Sequence, residues 1–116
     1  MSYELDFWRC APGVKLDHEQ VCRQLCDGVT VDGLDRLPIE ALLTRIKEVF
    51  ADWEKLDDVT FDGGDRGGFQ LYTTPQFFRV DCCGMNGDDI NKFIEIANEF
   101  GCSLFDPQVG KRYDEI

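Results

Sequence analysis

The sequence predicts an α+β fold in which helices lie on one face of a mostly antiparallel sheet. Apolar and polar residues alternate over 3–9, and strand-like segments recur at 69–73 and 77–83. Apolar residues recur at helical spacing over 90–100. The predicted order is β-α-α-β-β-β-α-β, and the length and even composition favour one domain covering residues 1–116.

The first strand and helix are indicated by periodicity and by capping residues. Alternation places one set of side chains toward the core and the other on the opposite face. The inward set is Tyr3, Leu5 and Phe7, and the outward set is Glu4, Asp6 and Trp8. Asp17 then predicts an N-cap for a helix that runs to about Cys26, with Gly28 near its end.

A second helix is expected after Pro38, which suits a first helical turn. Its apolar residues at helical spacing are Leu42, Leu43, Ile46, Val49, Phe50 and Trp53. A short strand is predicted at 59–62, followed by a flexible glycine-rich connection at 63–68. Thr74-Pro75 predicts a tight turn between the next two strands, with Phe78 and Val80 facing the core.

The third helix has the clearest pattern. Asn86 or Asp88 would cap it, and Gly101 would end it. Its apolar face is formed by Ile90, Phe93, Ile94, Ala97 and Phe100. A short strand at 102–105 is expected to stop at Asp106-Pro107, and the polar tail 108–116 is expected to be partly extended.

If all helices cover one sheet face, the other face is open to solvent. That face would carry Glu4, Asp6, Trp8, Gln70, Tyr72, Arg79 and Asp81. Aromatic and arginine side chains among carboxylates are typical of protein interfaces, although an ordinary solvated sheet face has the same pattern. The 57–65 segment adds aspartates, as an acidic contact loop or simply a long hairpin connection. The predicted partner-binding residues are therefore Asp6, Trp8, Tyr72, Arg79, Asp81, Asp62 and Asp65.

The charge balance restricts the possible partners. Twenty-three acidic residues face twelve basic ones, which gives a formal charge of −11 and a sequence pI of about 4.3. Such a chain repels nucleic acids and anionic membranes and attracts basic proteins. The start of the sequence has no signal-peptide pattern, and no run of about 18 apolar residues occurs. We therefore expect a cytoplasmic protein that binds neither nucleic acid nor membrane.

Six cysteines are expected to be reduced thiols, most of them small buried apolar residues. His18, Cys22 and Cys26 are spaced by four residues, so they form one ridge of the first helix and could contribute zinc ligands. Cys10 or Cys102 would be the fourth ligand. The alternative is that Cys22 packs in an apolar helix face. The 57–65 aspartates lack calcium-loop spacing, and no catalytic motif stands out, so we predict neither cofactor nor enzymatic activity.

Three segments resemble a group of small uncharacterised bacterial proteins, similar to immunity proteins of contact-dependent or secreted toxin systems. The segments are Tyr3-Glu4-Leu5-Asp6-Phe7-Trp8-Arg9, Asp62-Gly63-Gly64-Asp65-Arg66-Gly67-Gly68-Phe69 and Phe100-Gly101-Cys102-Ser103-Leu104-Phe105-Asp106-Pro107-Gln108. The resemblance implies a small cytosolic inhibitor that covers the active site of a cognate toxin, for example a nuclease. The alternatives are a metal- or thiol-dependent protein using Cys22, Cys26 and His18, and a subunit that dimerises through its open face.

Overall fold

A computed structural model describes residues 2–11, 13, 16–106, 108 and 111–113. The strands are β1 Ser2–Trp8, β2 Glu54–Lys55, β3 Thr60–Asp62, β4 Gly68–Thr74, β5 Phe77–Cys83, β6 Ser103–Asp106 and β7 Lys111–Tyr113. The helices are α1 His18–Cys26, α2 Ile39–Val49 and α3 Gly87–Glu99, with a short 3₁₀ helix at Gly64–Arg66. The α+β class and the predicted element order are confirmed.

All neighbouring strands pair antiparallel in one sheet of order β2-β3-β4-β5-β1-β6-β7. The first strand of the chain is therefore interior, between β5 and β6. Leu5 is opposite Val80, and Asp6 is opposite Arg79 on one side and Phe105 on the other. The β5 boundaries match the prediction, whereas the two-residue strand β2 was not anticipated.

One face of the sheet packs against α2 and α3. Its core contains Leu5, Phe7, Phe61, Phe69, Leu71, Phe78, Val80 and Leu104 from the strands, with Leu42, Ile46, Phe93, Ile96 and Ala97 from the helices. Phe50 stacks on Phe93 with ring centroids 4.8 Å apart. The predicted inward sets of β1 and β5 are confirmed on this face. Asp17 caps α1 and Asn86 caps α3, also as predicted.

The placement of α1 differs from the prediction, because this helix covers the opposite face of the sheet. A second core there joins Val21, Cys22 and Leu25 of α1 and the loop residues Val31 and Leu34 to Trp8, Phe77 and Phe105 of the sheet. The expectation that Asp6 and Trp8 are exposed is therefore wrong: both side chains are 0% exposed. Two of the seven residues of the predicted open face are therefore interior.

Aromatic residues on both sides of the central strands explain this arrangement. Phe77 and Phe78 are adjacent in β5, so their rings lie on opposite faces, and Leu104 and Phe105 do the same in β6. Leaving Trp8, Phe77 and Phe105 in water would expose a large apolar patch at the centre of the sheet. Helix α1 covers that patch with its own apolar stripe.

Buried Gln76 secures the segment that follows α1. Its side chain accepts a hydrogen bond from Val31 N at 2.9 Å and donates to Val31 O at 2.9 Å and Leu34 O at 3.2 Å. These bonds satisfy backbone groups that would otherwise be buried without partners.

No helix among the described residues is both long and apolar enough to cross a lipid bilayer.

Gly67→Ala is expected to destabilise the protein by about 2–3 kcal/mol. Gly67 has φ +94°, and a Cβ there would lie 2.4 Å from Cys83 O, a backbone atom that cannot move aside. Urea unfolding measures the change. Gly87→Ala is the matched control, because a Cβ at the start of α3 meets nothing within 4 Å and should change stability by no more than about 1 kcal/mol. Equal effects of the two substitutions would contradict this explanation.

Candidate functional site

A cluster of thiols and carboxylates lies where α1 crosses β1. Residues i and i+2 of a strand share a face, which places Glu4 beside Asp6, and residues i and i+4 of a helix share a face, which places Cys22 beside Cys26. One ligand-type atom from each of the four residues lies within 4.8 Å of all the others. Cys22 Sγ lies 4.0 Å from Cys26 Sγ and 3.5 Å from Asp6 Oδ2, to which it donates a hydrogen bond. We call these four residues the thiol–carboxylate cluster.

Asp6 is the buried centre of this cluster. Burial first and the neighbouring Glu4 carboxyl second raise the pKa of its carboxyl, against the opposing effects of Cys22 and Arg79, from 3.8 to about 8. Among the described residues, Asp6 Oδ1 has no hydrogen-bond partner. A carboxylate in this position is therefore costly unless a proton or a cation neutralises it.

The two thiols are not activated nucleophiles. Burial raises the pKa of Cys22 and of Cys26, and the nearby Asp6 carboxylate raises both further. Arg79 Nη1 lies 3.5 Å from Cys26 Sγ and acts in the opposite direction on the pKa of Cys26. The geometry thus gives two protonated thiols beside a guanidinium, which does not favour thiolate catalysis.

The cluster differs from the predicted zinc ligands in three of its possible members. The ring of His18 packs 6.3 Å from that of Trp8 and 6.4 Å from that of Phe105. Cys102 is buried in the core on the other face of the sheet, and Cys10 forms a β-bridge with Leu34. None of these three described residues belongs to the cluster. The structure has all six cysteines as free thiols, and three of them rather than most are buried: Cys22, Cys82 and Cys102.

Helix α1 covers only part of its face of the sheet. The uncovered part of the same face forms a shallow trough of about 330 Å³. Its lining residues are Leu56, Thr60, Phe61, Asp62, Gly68, Phe69, Gln70, Asp81, Cys82 and Cys83. Gly68 and Gln70 of β4 pair with Cys83 and Asp81 of β5, which fixes the floor. Leu56, at 56% exposure, stands at the rim.

The trough keeps part of the predicted partner-binding set together. Asp62 and Asp81 line it. Arg79 and Tyr72 lie beside it, half-buried, with the guanidinium carbon 5.4 Å from the ring centroid. Asp65 is exposed in the 3₁₀ helix that follows β3. The structure therefore separates the predicted residues: Asp6 and Trp8 are interior, and the other five remain accessible.

The cluster was not predicted from the sequence, because Glu4 and Asp6 were expected on a solvent-exposed sheet face. The sequence signal was the pairing of Cys22 and Cys26 at helical spacing with Glu4 and Asp6 at strand spacing. Connecting the two pairs required knowing which face of the sheet α1 covers.

Comparison with known proteins gives no assignment for this arrangement. No family model, no curated protein and no solved structure matches the chain. The resemblance to immunity proteins therefore stays a prediction, and we infer function from the geometry and charge of this chain.

Proposed function

We propose that this chain is a non-enzymatic cytosolic binding protein that holds a basic protein domain in its trough. Following the sequence resemblance, the partner is a toxin domain whose active site becomes covered. The single observation that carries the proposal is an uncovered sheet face bordered by carboxylates in a chain of formal charge −11. Such a face attracts a basic partner over long distances and positions it.

The local charges support the choice of partner. Of the acidic residues that line the trough, Asp81 pairs with Arg79, with Oδ2 3.4 Å from Nε. Within the described residues, Asp62 and Asp65 take part in no ion pair, so their charges face solvent. A lysine- or arginine-rich surface would supply the missing cations.

The exposed apolar group at the rim gives the partner something to bury. Leu56, which is 56% exposed, borders the trough, and a partner would remove it from water as interfaces commonly do with apolar groups. A second copy of the chain is the other occupant to be tested. Two faces of equal negative charge would repel each other, which favours a different, basic partner.

The alternative function, a metal- or thiol-dependent protein, is favoured by one specific observation, the thiol–carboxylate cluster. The two proposals concern different places. The cluster lies beneath α1, whereas the trough lies beside it, so each can be tested without the other.

The double variant Asp62→Asn/Asp65→Asn is expected to slow association with the toxin domain about tenfold at low salt, because it removes two negative charges that take part in no ion pair among the described residues. The difference should disappear near 0.5 M salt, where charges are screened within a few ångströms. Association rates measured by surface plasmon resonance provide the test, with the C-terminal domain of the protein encoded by the gene immediately upstream as the immobilised ligand.

The matched control is Glu48→Gln/Glu95→Gln, which removes the same charge from α2 and α3 on the opposite side of the sheet. Equal slowing by both double variants would place the interface elsewhere. A growth assay with co-expressed toxin domain tests the biological role: failure of this chain to restore growth would contradict the toxin proposal. A dimer found by light scattering would favour the second-copy alternative.

A further inference from the structure

We propose that Glu4, Asp6, Cys22 and Cys26 bind one Zn²⁺ in a closed tetrahedral site that fastens helix α1 to the sheet. This inference concerns the thiol–carboxylate cluster and does not depend on the proposed partner of the trough. It replaces the histidine-containing ligand set that the sequence suggested.

The spacing of the ligand atoms fits the metal. Zinc–sulfur bonds of about 2.3 Å and zinc–oxygen bonds of about 2.0–2.2 Å in a tetrahedron place two sulfurs about 3.8 Å apart and a sulfur and an oxygen about 3.5 Å apart. Cys22 Sγ and Cys26 Sγ are 4.0 Å apart, and Cys22 Sγ and Asp6 Oδ2 are 3.5 Å apart. With all four ligand atoms within 4.8 Å of one another, small side-chain adjustments would complete the site.

Asp6 supplies a second, independent indication of a ligand. Its side chain is 0% exposed and leaves β1 on the face that α1 covers. Oδ1 has no hydrogen-bond partner among the described residues, although buried polar atoms are almost always partnered. A second carboxyl, that of Glu4, interacts with Asp6, and the two can share a hydrogen bond only while one of them is protonated. A cation at the centre of the four residues would satisfy this oxygen.

The charges around the cluster point the same way. When all four ligands are deprotonated they carry four negative charges, and Arg79 neutralises one of them from its position beside Cys26. A divalent cation compensates most of the remainder. Arg79 then acts as an outer partner that donates to a thiolate ligand and is itself held by Asp81, with Nε 3.4 Å from Oδ2.

The ligand chemistry selects zinc over the commoner divalent cations. Calcium and magnesium prefer sites built from oxygen ligands, whereas two thiolates favour a softer ion. Four protein ligands complete a tetrahedron and leave no position for substrate, which is typical of structural zinc. Glu4 and Cys26 are half-exposed, so an ion has an entry path from solvent.

The test starts with elemental analysis of the protein purified under reducing conditions without added metal or chelator. We expect about one zinc per chain. After chelation, Co²⁺ should give the intense near-ultraviolet band of cobalt–thiolate bonds. Zinc at a free concentration 100-fold above its Kd should raise the Tm of the metal-free protein by about 10 °C.

Cys22→Ser/Cys26→Ser should abolish stoichiometric zinc and the cobalt–thiolate band. Asp6→Asn should weaken zinc binding at least tenfold. The control Cys83→Ser removes an exposed thiol outside the cluster and should retain both signals. Circular dichroism in chelator verifies that each variant is folded. If the folded wild-type protein takes up neither zinc nor cobalt, or if the double serine variant retains both, the proposal is overturned.

Discussion

Replacing Trp8 with alanine is expected to reduce the free energy of unfolding by about 3–5 kcal/mol. The indole is 0% exposed in the core beneath α1, with its ring centroid 5.4 Å from that of Phe105 and 6.4 Å from that of Phe77. Removing it leaves a cavity at the point where α1 meets β1, and neighbours that belong to the sheet cannot collapse into it. Urea unfolding followed by circular dichroism measures the loss.

Two further variants separate this explanation from a general sensitivity to apolar truncation. Trp8→Phe keeps most of the ring contacts, so we expect a smaller loss of about 1–2 kcal/mol. Leu56→Ala removes an apolar side chain that is 56% exposed and should change stability by less than about 0.5 kcal/mol. If Trp8→Ala had as little effect as Leu56→Ala, α1 would not cover this face in solution.

Asp6→Asn is expected to stabilise the metal-free protein at pH 7.5 by about 2–4 kcal/mol and to leave its stability at pH 4 nearly unchanged. The folded protein holds the pKa of Asp6 at about 8, against 3.8 for an ordinary aspartate. Well below pH 3.8 the carboxyl is neutral in both states and costs nothing, and at pH 4 the unfolded chain has only begun to release the proton. As the pH rises toward 8, the unfolded chain releases the proton and the folded chain retains it, so stability is lost. Asparagine is neutral throughout and does not contribute this loss.

The raised pKa sets an upper limit on this effect. At about 1.4 kcal/mol per pH unit, the change from 3.8 to about 8 corresponds to at most about 6 kcal/mol, and relaxation around the charged form reduces it. The measurement is urea unfolding from pH 4 to 8.5 in EDTA, compared as the difference between variant and wild type so that other titrating groups cancel. If the stability difference between variant and wild type did not change with pH, the raised pKa would not belong to Asp6. With added zinc, the wild type should become more stable than Asp6→Asn, because the wild type binds the ion with four protein ligands and the variant lacks one of them.

Sequence patterns sufficed for most of the secondary structure because the signals are local. Alternation in β1 and β5, the caps at Asp17 and Asn86 and the apolar stripe of α3 depend on neighbouring residues alone. The short strand β2 has no such signal, since two residues are too few for a period and its pairing with β3 supplies the structure.

The candidate site was predictable only in its separate parts. Alternation placed Glu4, Asp6 and Trp8 on a common face correctly, but it could not show whether that face was exposed to solvent or buried. The adjacent aromatics Phe77 and Phe78 were the available sign that both faces are buried. An apolar stripe on α1 fits either side of the sheet, so the choice depended on contacts between distant parts of the chain.

By itself, the sequence determined most of the strands and helices, their order and the charge of −11, which are properties of local periodicity and composition. The tertiary structure alone decided that α1 crosses the second face of the sheet. That crossing buries Trp8, brings Cys22 and Cys26 onto Glu4 and Asp6, and leaves the trough uncovered. The physical reason is that apolar area on both sides of β5, β1 and β6 must be removed from water, and a helix can cover one side at a time.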